Sequence, residues 1–175
     1  IDYAWSTVIG LLLPSALLKS ASVAYIHYVS FMLCFGALIY ERISLKPSPN
    51  RQESISMVIA DIVYGIAGIT LLISGIYRVI KFGQGSVFYT QNPIFWTKII
   101  IFALVGSLSL YPTITYVLWA IPLSKGTLPQ VTDSLVLRLR LIINIELFGF
   151  ASIPFLATLM ARGIGLDWRI ISPRF

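Results

Sequence analysis

Four long apolar runs, separated by short polar connections, dominate the hydrophobic pattern of this chain. A helix needs about 20 predominantly apolar residues to cross about 30 Å of hydrocarbon. The predicted spans cover residues 17–40, 56–80, 94–121 and 135–161. Backbone groups that face lipid have no outside hydrogen-bond partner, so helices are the structure that fits these runs.

Helix-breaking residues mark the ends of several runs. Pro93 is expected in the first turn of the third helix, and Pro122 is expected to stop that helix. Gly163 and Gly165 are expected to end the fourth. The shorter run from Val8 to Leu13 cannot cross a membrane and predicts a short N-terminal interfacial or re-entrant helix.

Short connections favour antiparallel neighbours. The expected fold is therefore an all-α membrane protein, an up-down-up-down four-helix bundle with both termini on one side. Residues 1–175 would form a single membrane domain. Basic residues divide seven to six between the two sides, and this split leaves the orientation open under the positive-inside rule.

The composition agrees with an integral membrane protein. The 175 residues are 57% hydrophobic and 11% charged, against about 25% charged in a soluble domain. A net charge of +6 is typical of membrane flanks and needs no nucleic acid. The single cysteine, Cys34, is expected to be a packing residue. The first residue is Ile, which favours an organellar precursor whose targeting segment has been removed.

Ionisable side chains within a span are costly, by about 2.5–3.5 kcal/mol at its centre, and therefore face the bundle interior or a partner. Glu41, Arg42 and Asp61 are expected to meet in a bridge that docks the first two helices, with a proton-relay role for Asp61 as the alternative. Gly65, Gly68 and Gly75 share a helical stripe with Asp61, which predicts a helix-packing seam.

His27 and Glu146 both fall near mid-bilayer, counted from opposite ends of their spans. They are expected to form a buried pair with Asn144 nearby. Alternatively, His27 is the single axial ligand of a tetrapyrrole, either a haem or a chlorophyll magnesium. The chain has one histidine, which excludes a self-contained bis-histidine haem.

Cations cluster near the span ends. Arg78, Lys81 and Lys98 surround the connection between the second and third spans, and are expected to anchor the headgroup level or to bind an anionic lipid or acidic partner. Arg138 and Arg140 open the fourth span on the opposite surface, with the same expected role. No metal-site or soluble-enzyme motif is present, which leans against an enzyme.

Three segments carry a family resemblance. They are the first span with His27, Gly36 and Glu41; the run ADIVYGIAG leading to SGIYR; and FYTQNPIFWTK, from Phe88 to Lys98. In order and spacing they resemble domain-of-unknown-function family 2214, four-helix membrane proteins of bacteria, cyanobacteria and photosynthetic eukaryotes. This resemblance implies a small membrane protein of the thylakoid. A looser likeness connects the first span to the haem-binding membrane protoporphyrinogen oxidases, from which the chain departs in lacking a second histidine.

The leading functional hypothesis is an accessory or assembly subunit of a larger membrane complex, of photosystem type, in the plastid thylakoid. Its expected partners are lipids and other integral subunits, and its expected ligands are chlorophyll or carotenoid before haem. One alternative is a tetrapyrrole-binding redox protein that uses His27. Another is a small proton-coupled transporter with Asp61, Glu146 and His27 as its proton path. A bacterial or mitochondrial inner membrane is the alternative location.

Overall fold

The computed structural model describes residues 15–83 and 85–165. Within them the chain is helical and contains no strand. The four long helices are α1 (Ser15–Ser44), α2 (Arg51–Tyr77), α4 (Pro93–Ser124) and α5 (Asp133–Ala161), and a short helix α3 spans Ser86–Thr90. A π-helical turn, Arg78–Phe82, extends α2. The short helix expected at residues 8–13 lies outside the described residues.

Side-chain caps explain where the long helices begin. The Asn50 side chain accepts a hydrogen bond from the Glu53 backbone N–H, and the Glu53 carboxylate accepts one from the Asn50 N–H, each at 2.9 Å. This reciprocal capping box satisfies two N–H groups that an uncapped start leaves unpaired. Asn92 caps α4 in front of Pro93, which occupies the predicted first turn.

The end of α4 differs from the one predicted from its prolines. Pro122 does not stop α4, which continues to Ser124, and Pro112 and Pro154 also lie within helices. Such prolines are tolerated in membrane helices because neighbouring groups satisfy the freed backbone carbonyls. The predicted end of the last helix is confirmed, since α5 stops at Ala161 and Gly163 follows with a φ of 77°.

The long helices pack as a ring in the order α1, α2, α4, α5, with α5 closing against α1. Each helix runs antiparallel to its neighbours in this ring, so the predicted up-down-up-down bundle is confirmed. All four are long and apolar enough to cross a membrane. One end of the bundle holds Ser15, Phe82, Pro93 and Ala161, and we call it the cavity end because a cavity lies there. The opposite end holds the 45–50 and 125–132 connections.

One aromatic ring from each long helix meets at the centre of the bundle. Phe150 of α5 lies 5.6 Å from Phe31 of α1, 6.2 Å from Tyr64 of α2 and 6.4 Å from Phe102 of α4, between ring centroids. We call these four residues the Phe150 layer. It divides the bundle interior into two compartments, one toward each end.

The Phe150 layer predicts a large difference between two phenylalanines on one helix. Phe150 is 2% exposed, whereas Phe148 is 80% exposed on the outer surface. Phe150→Ala is expected to lower the free energy of unfolding by about 3 kcal/mol, because the layer loses its central ring. Phe148→Ala should change it by less than about 1 kcal/mol. Unfolding by denaturant in detergent measures both, and equal losses would contradict the packing described here.

Candidate functional site

A cavity of about 790 Å³ occupies the compartment between the Phe150 layer and the cavity end. Its volume lies within the range of about 300–1,000 Å³ usual for small-molecule sites. All four long helices and the segment connecting α2 to α4 contribute to it. Its wall is mostly aromatic and aliphatic, and its rings include Phe31, Phe82, Phe88, Tyr89, Phe95 and Phe102.

His27 lines this cavity in a defined orientation. Its Nδ1 lies 2.9 Å from the Ser74 hydroxyl oxygen, and that hydroxyl donates to the Leu71 carbonyl oxygen at 3.1 Å. A hydroxyl has one proton to donate, so while Ser74 donates to Leu71 its oxygen accepts from His27. We therefore expect the neutral imidazole to carry its proton on Nδ1, which would leave the lone pair on Nε2 available as a ligand.

Gly75 makes room for this imidazole. A Cβ atom at position 75 would lie 3.2 Å from His27 Cε1, closer than most side-chain contacts. The predicted role of Gly75 in close packing thus has a specific partner. Gly65 and Gly68 differ, because a Cβ at either position would meet no heavy atom within 4 Å among the described residues. The face of α2 that packs within the bundle includes Met57, Ala60, Tyr64, Ala67 and Leu71 instead.

Two cations share the cavity with His27. The Arg78 guanidinium carbon lies 5.1 Å from the Tyr28 ring centroid, and Lys98 Nζ lies 5.7 Å from the Phe95 ring centroid. Arg78 and Lys98 repel each other and His27 electrostatically. In the described part of the chain the one ion pair is Lys46–Glu53, far away at the opposite end. The cavity thus carries positive charge that no carboxylate of these residues offsets.

The remaining predicted cations lie outside the cavity. Lys81 is exposed and is absent from the cavity wall. At the opposite end, Arg138 donates to the Tyr111 hydroxyl at 3.2 Å, and Arg140 donates to the Leu45 carbonyl at 2.6 Å. Arg138 therefore connects α5 to α4, and Arg140 connects α5 to the segment that follows α1.

The expected pair of His27 with Glu146 is not formed. Phe31 and Phe150 are in contact, and His27 and Glu146 each lie one turn from them, in opposite directions along the bundle. Two turns correspond to about 11 Å along the axis. Both groups lie near the middle of the membrane when residues are counted from the span ends. Such a count does not give the position of α1 relative to α5 along the bundle axis.

The expected bridge of Arg42 with Glu41 and Asp61 is not formed either. Arg42 Nε donates to the Asn144 side-chain oxygen at 2.6 Å, which ties α1 to α5. Asp61 accepts a hydrogen bond from the Thr113 hydroxyl at 2.7 Å, which ties α2 to α4. Asn144 thus belongs with Arg42 and not with His27.

Three carboxyl groups occupy the compartment on the other side of the Phe150 layer. Glu41 is 1% exposed, Asp61 6% and Glu146 0%, and each interacts electrostatically with the other two. We call these three residues the carboxyl cluster. Cys34 packs beside it, with its thiol 3.7 Å from the Tyr64 carbonyl oxygen, as expected of a packing residue.

Ser74, Thr113 and Tyr116 were not among the residues predicted from sequence. Hydroxyl side chains are ordinary in apolar spans, where they bond to the backbone of their own helix. Ser74 and Thr113 are distinguished only by partners on other helices, at 2.9 Å and 2.7 Å. A hydrogen bond to another helix leaves no pattern in a single amino-acid sequence, so these residues could not be identified from it.

The sequence matches the family described as "Predicted membrane protein (DUF2214)" over residues 19–165. Because this match covers most of the chain, the protein belongs to that family and is an integral membrane protein. The resemblance found in the sequence is confirmed. No curated protein and no solved structure matches the chain.

The Ser74 hydrogen bond predicts the protonation of the imidazole. Because the chain contains one histidine, ¹⁵N-histidine labelling gives an NMR signal that needs no assignment. The neutral imidazole of the protein in nanodiscs should carry its proton on Nδ1. Ser74→Ala and Gly75→Val should both disturb this preference, the first by removing the acceptor and the second by displacing the ring.

Gly68→Val is the matched control, since a side chain at position 68 meets open space among the described residues. A neutral wild-type imidazole protonated on Nε2 would contradict the orientation assigned to His27.

Proposed function

We propose that this protein holds a carboxylate-bearing tetrapyrrole in its cavity and works as an accessory subunit of a larger membrane complex. The proposal rests on the combination of three side chains in one cavity. His27 has an available Nε2 lone pair, and Arg78 and Lys98 have no carboxylate partner in the described chain.

Each part of a carboxylate-bearing tetrapyrrole has a matching group in the cavity. His27 Nε2 would serve as the single axial base, which is enough for a ring metal held by one residue. Arg78 and Lys98 would hold the ring carboxylates through charge-assisted hydrogen bonds. The aromatic wall would pack against the ring faces. When bound, such a group supplies light absorption or electron transfer, while the protein fixes its position.

The charge of the cavity distinguishes between tetrapyrroles and other apolar ligands. A carotenoid has no anionic group, and the side-chain carboxyl of chlorophyll is esterified, so neither would offset Arg78 and Lys98. A half-buried cation is costly in the membrane without a counter-charge. Among the cofactors considered from sequence, the cavity thus favours haem or another tetrapyrrole with free carboxylates.

The outer surface supports the role of a subunit. Gly65 and Gly68 lie on α2 with open space beside them among the described residues. Small residues about one turn apart let a second helix approach closely within a bilayer. The connections at 45–50 and 125–132 are short, so the described chain offers mainly membrane-embedded surface to a partner. Gly65 and Gly68 are therefore proposed as the contact with a neighbouring subunit.

A photosynthetic complex of the thylakoid is proposed as the setting. Its support is the occurrence of the resembling family in cyanobacteria and photosynthetic eukaryotes, together with a cavity suited to a tetrapyrrole. Fractionation of the native membranes tests this placement, and recovery of the protein with mitochondrial markers would contradict it.

The cavity ligand predicts a visible absorption spectrum. Protein purified from its native membrane in mild detergent should show a Soret band, which His27→Ala should shift or abolish because the axial base is lost. Arg78→Gln and Lys98→Gln should each weaken binding of added haemin by about tenfold or more, the value of one charge-assisted hydrogen bond.

Lys81→Gln provides the matched control, because Lys81 is a nearby cation outside the cavity wall. A featureless spectrum together with no binding of haemin would contradict the tetrapyrrole. A co-purifying anionic lipid identified by mass spectrometry would show that the cavity holds a lipid instead.

The subunit contact predicts an effect on complex formation alone. Substituting leucine at Gly65 and Gly68 together should release the protein from co-purifying chains, because the added side chains hold a partner helix away. The absorption spectrum should persist. Gly106→Leu on α4 is the control, as that position also faces open space among the described residues. Co-purification that survives the double substitution would exclude Gly65 and Gly68 as the contact.

A further inference from the structure

The carboxyl cluster presents acceptor oxygens that lack partners. Both carboxyl oxygens of Glu146 and one of Glu41 are fully buried without a hydrogen bond among the described residues. The Tyr116 hydroxyl is also buried without a partner, on a side chain that is 0% exposed. It interacts electrostatically with Glu41, Asp61 and Glu146. A second residue type on a fourth helix thus points into the cluster.

No cation of the described chain neutralises these groups. Arg42 on α1 and Arg140 on α5 are the nearest in sequence, and they donate to the Asn144 side chain and the Leu45 carbonyl, each at 2.6 Å. The single ion pair of the described residues, Lys46–Glu53, lies outside the cluster. Ionising three adjacent carboxyls in a low-dielectric interior without a counter-charge costs several kcal/mol for each ion.

None of the surrounding groups forms an ion pair with the cluster among the described residues. The titratable and charged groups near the cluster are, by helix, Cys34, Glu41 and Arg42 on α1; Asp61 and Tyr64 on α2; Tyr116 on α4; and Glu146 and Arg140 on α5. Arg42 and Arg140 keep their charge, and Arg140 Nε is itself buried without a hydrogen-bond partner among the described residues, but neither arginine is paired with a carboxyl of the cluster. The other groups are neutral or acidic. The cluster therefore needs a positively charged occupant.

We propose that the carboxyl cluster is a proton-binding site, in which its buried carboxyl groups hold protons at neutral pH. A proton neutralises a carboxylate by binding one of its own oxygens, so it needs no coordination shell from neighbouring groups. The described residues contain no group of three His, Cys, Asp or Glu side chains arranged to hold a metal ion. The geometry thus favours protons over a larger cation.

The proton site is separate from the ligand cavity. On α1, α2 and α5 the residues of the carboxyl cluster lie on the other side of the Phe150 layer from His27. Four aromatic rings interrupt the polar path between Glu146 and His27 that a proton relay through both would need. The proton site therefore does not depend on whether the cavity binds a tetrapyrrole.

Infrared spectroscopy tests the proposal directly. The protein in nanodiscs at pH 7 should show the C=O stretching band of protonated carboxyl groups, and the band should shift in D₂O. Glu146→Gln and Asp61→Asn should each diminish it. Glu53→Gln is the matched control, because Glu53 is paired with Lys46 at 2.8 Å outside the cluster and should leave the band unchanged.

Two results would overturn the proton site. A wild-type spectrum without protonated carboxyl groups at pH 7 would show that the cluster is ionised. A band that appears only after Na⁺ and K⁺ are removed would show that a metal cation is the occupant. Both results come from wild-type protein and do not depend on the folding of any variant.

Discussion

An unpaired charge inside a membrane bundle is costly, and this cost governs the arrangement of the polar groups in the molecule. Cations and carboxyls both occur in the interior, yet no ion pair of the described residues joins them. The Phe150 layer separates them, with His27, Arg78 and Lys98 on one side and Glu41, Asp61 and Glu146 on the other. We therefore propose a separate counter-charge for each compartment: an anion in the cavity and protons in the cluster.

The helices could be predicted from sequence because the bilayer leaves one structure available to a long apolar run. Residues such as Pro93 and Gly163 fixed helix ends correctly, since their backbone restrictions act locally. Pro122 did not, because packing and neighbouring carbonyls override a local preference once the helix is embedded. The antiparallel ring followed from the short connections.

The site was less predictable, because it depends on how the helices register and rotate against one another. His27, Arg78 and Lys98 could be identified from sequence as polar residues that need an explanation, but their common cavity could not. Their equal distance from the span ends suggested that His27 and Glu146 are paired. The two residues lie about two turns apart along the bundle, and His27 is bonded to the Ser74 hydroxyl instead. Gly65, Gly68 and Gly75 were expected to form a packing face, but among the described residues only a Cβ added at Gly75 would meet another helix, at His27.

We propose distinct tasks for the two compartments and for the outward-facing Gly65 and Gly68. The most specific of these proposals is that the cavity holds an anionic tetrapyrrole bound to His27. An experimental density map of the protein purified from its native membrane tests it most directly. We expect a planar density bound at His27 Nε2, with its acidic groups toward Arg78 and Lys98. A lipid chain in the cavity, or a planar group bound elsewhere on the protein, would contradict it.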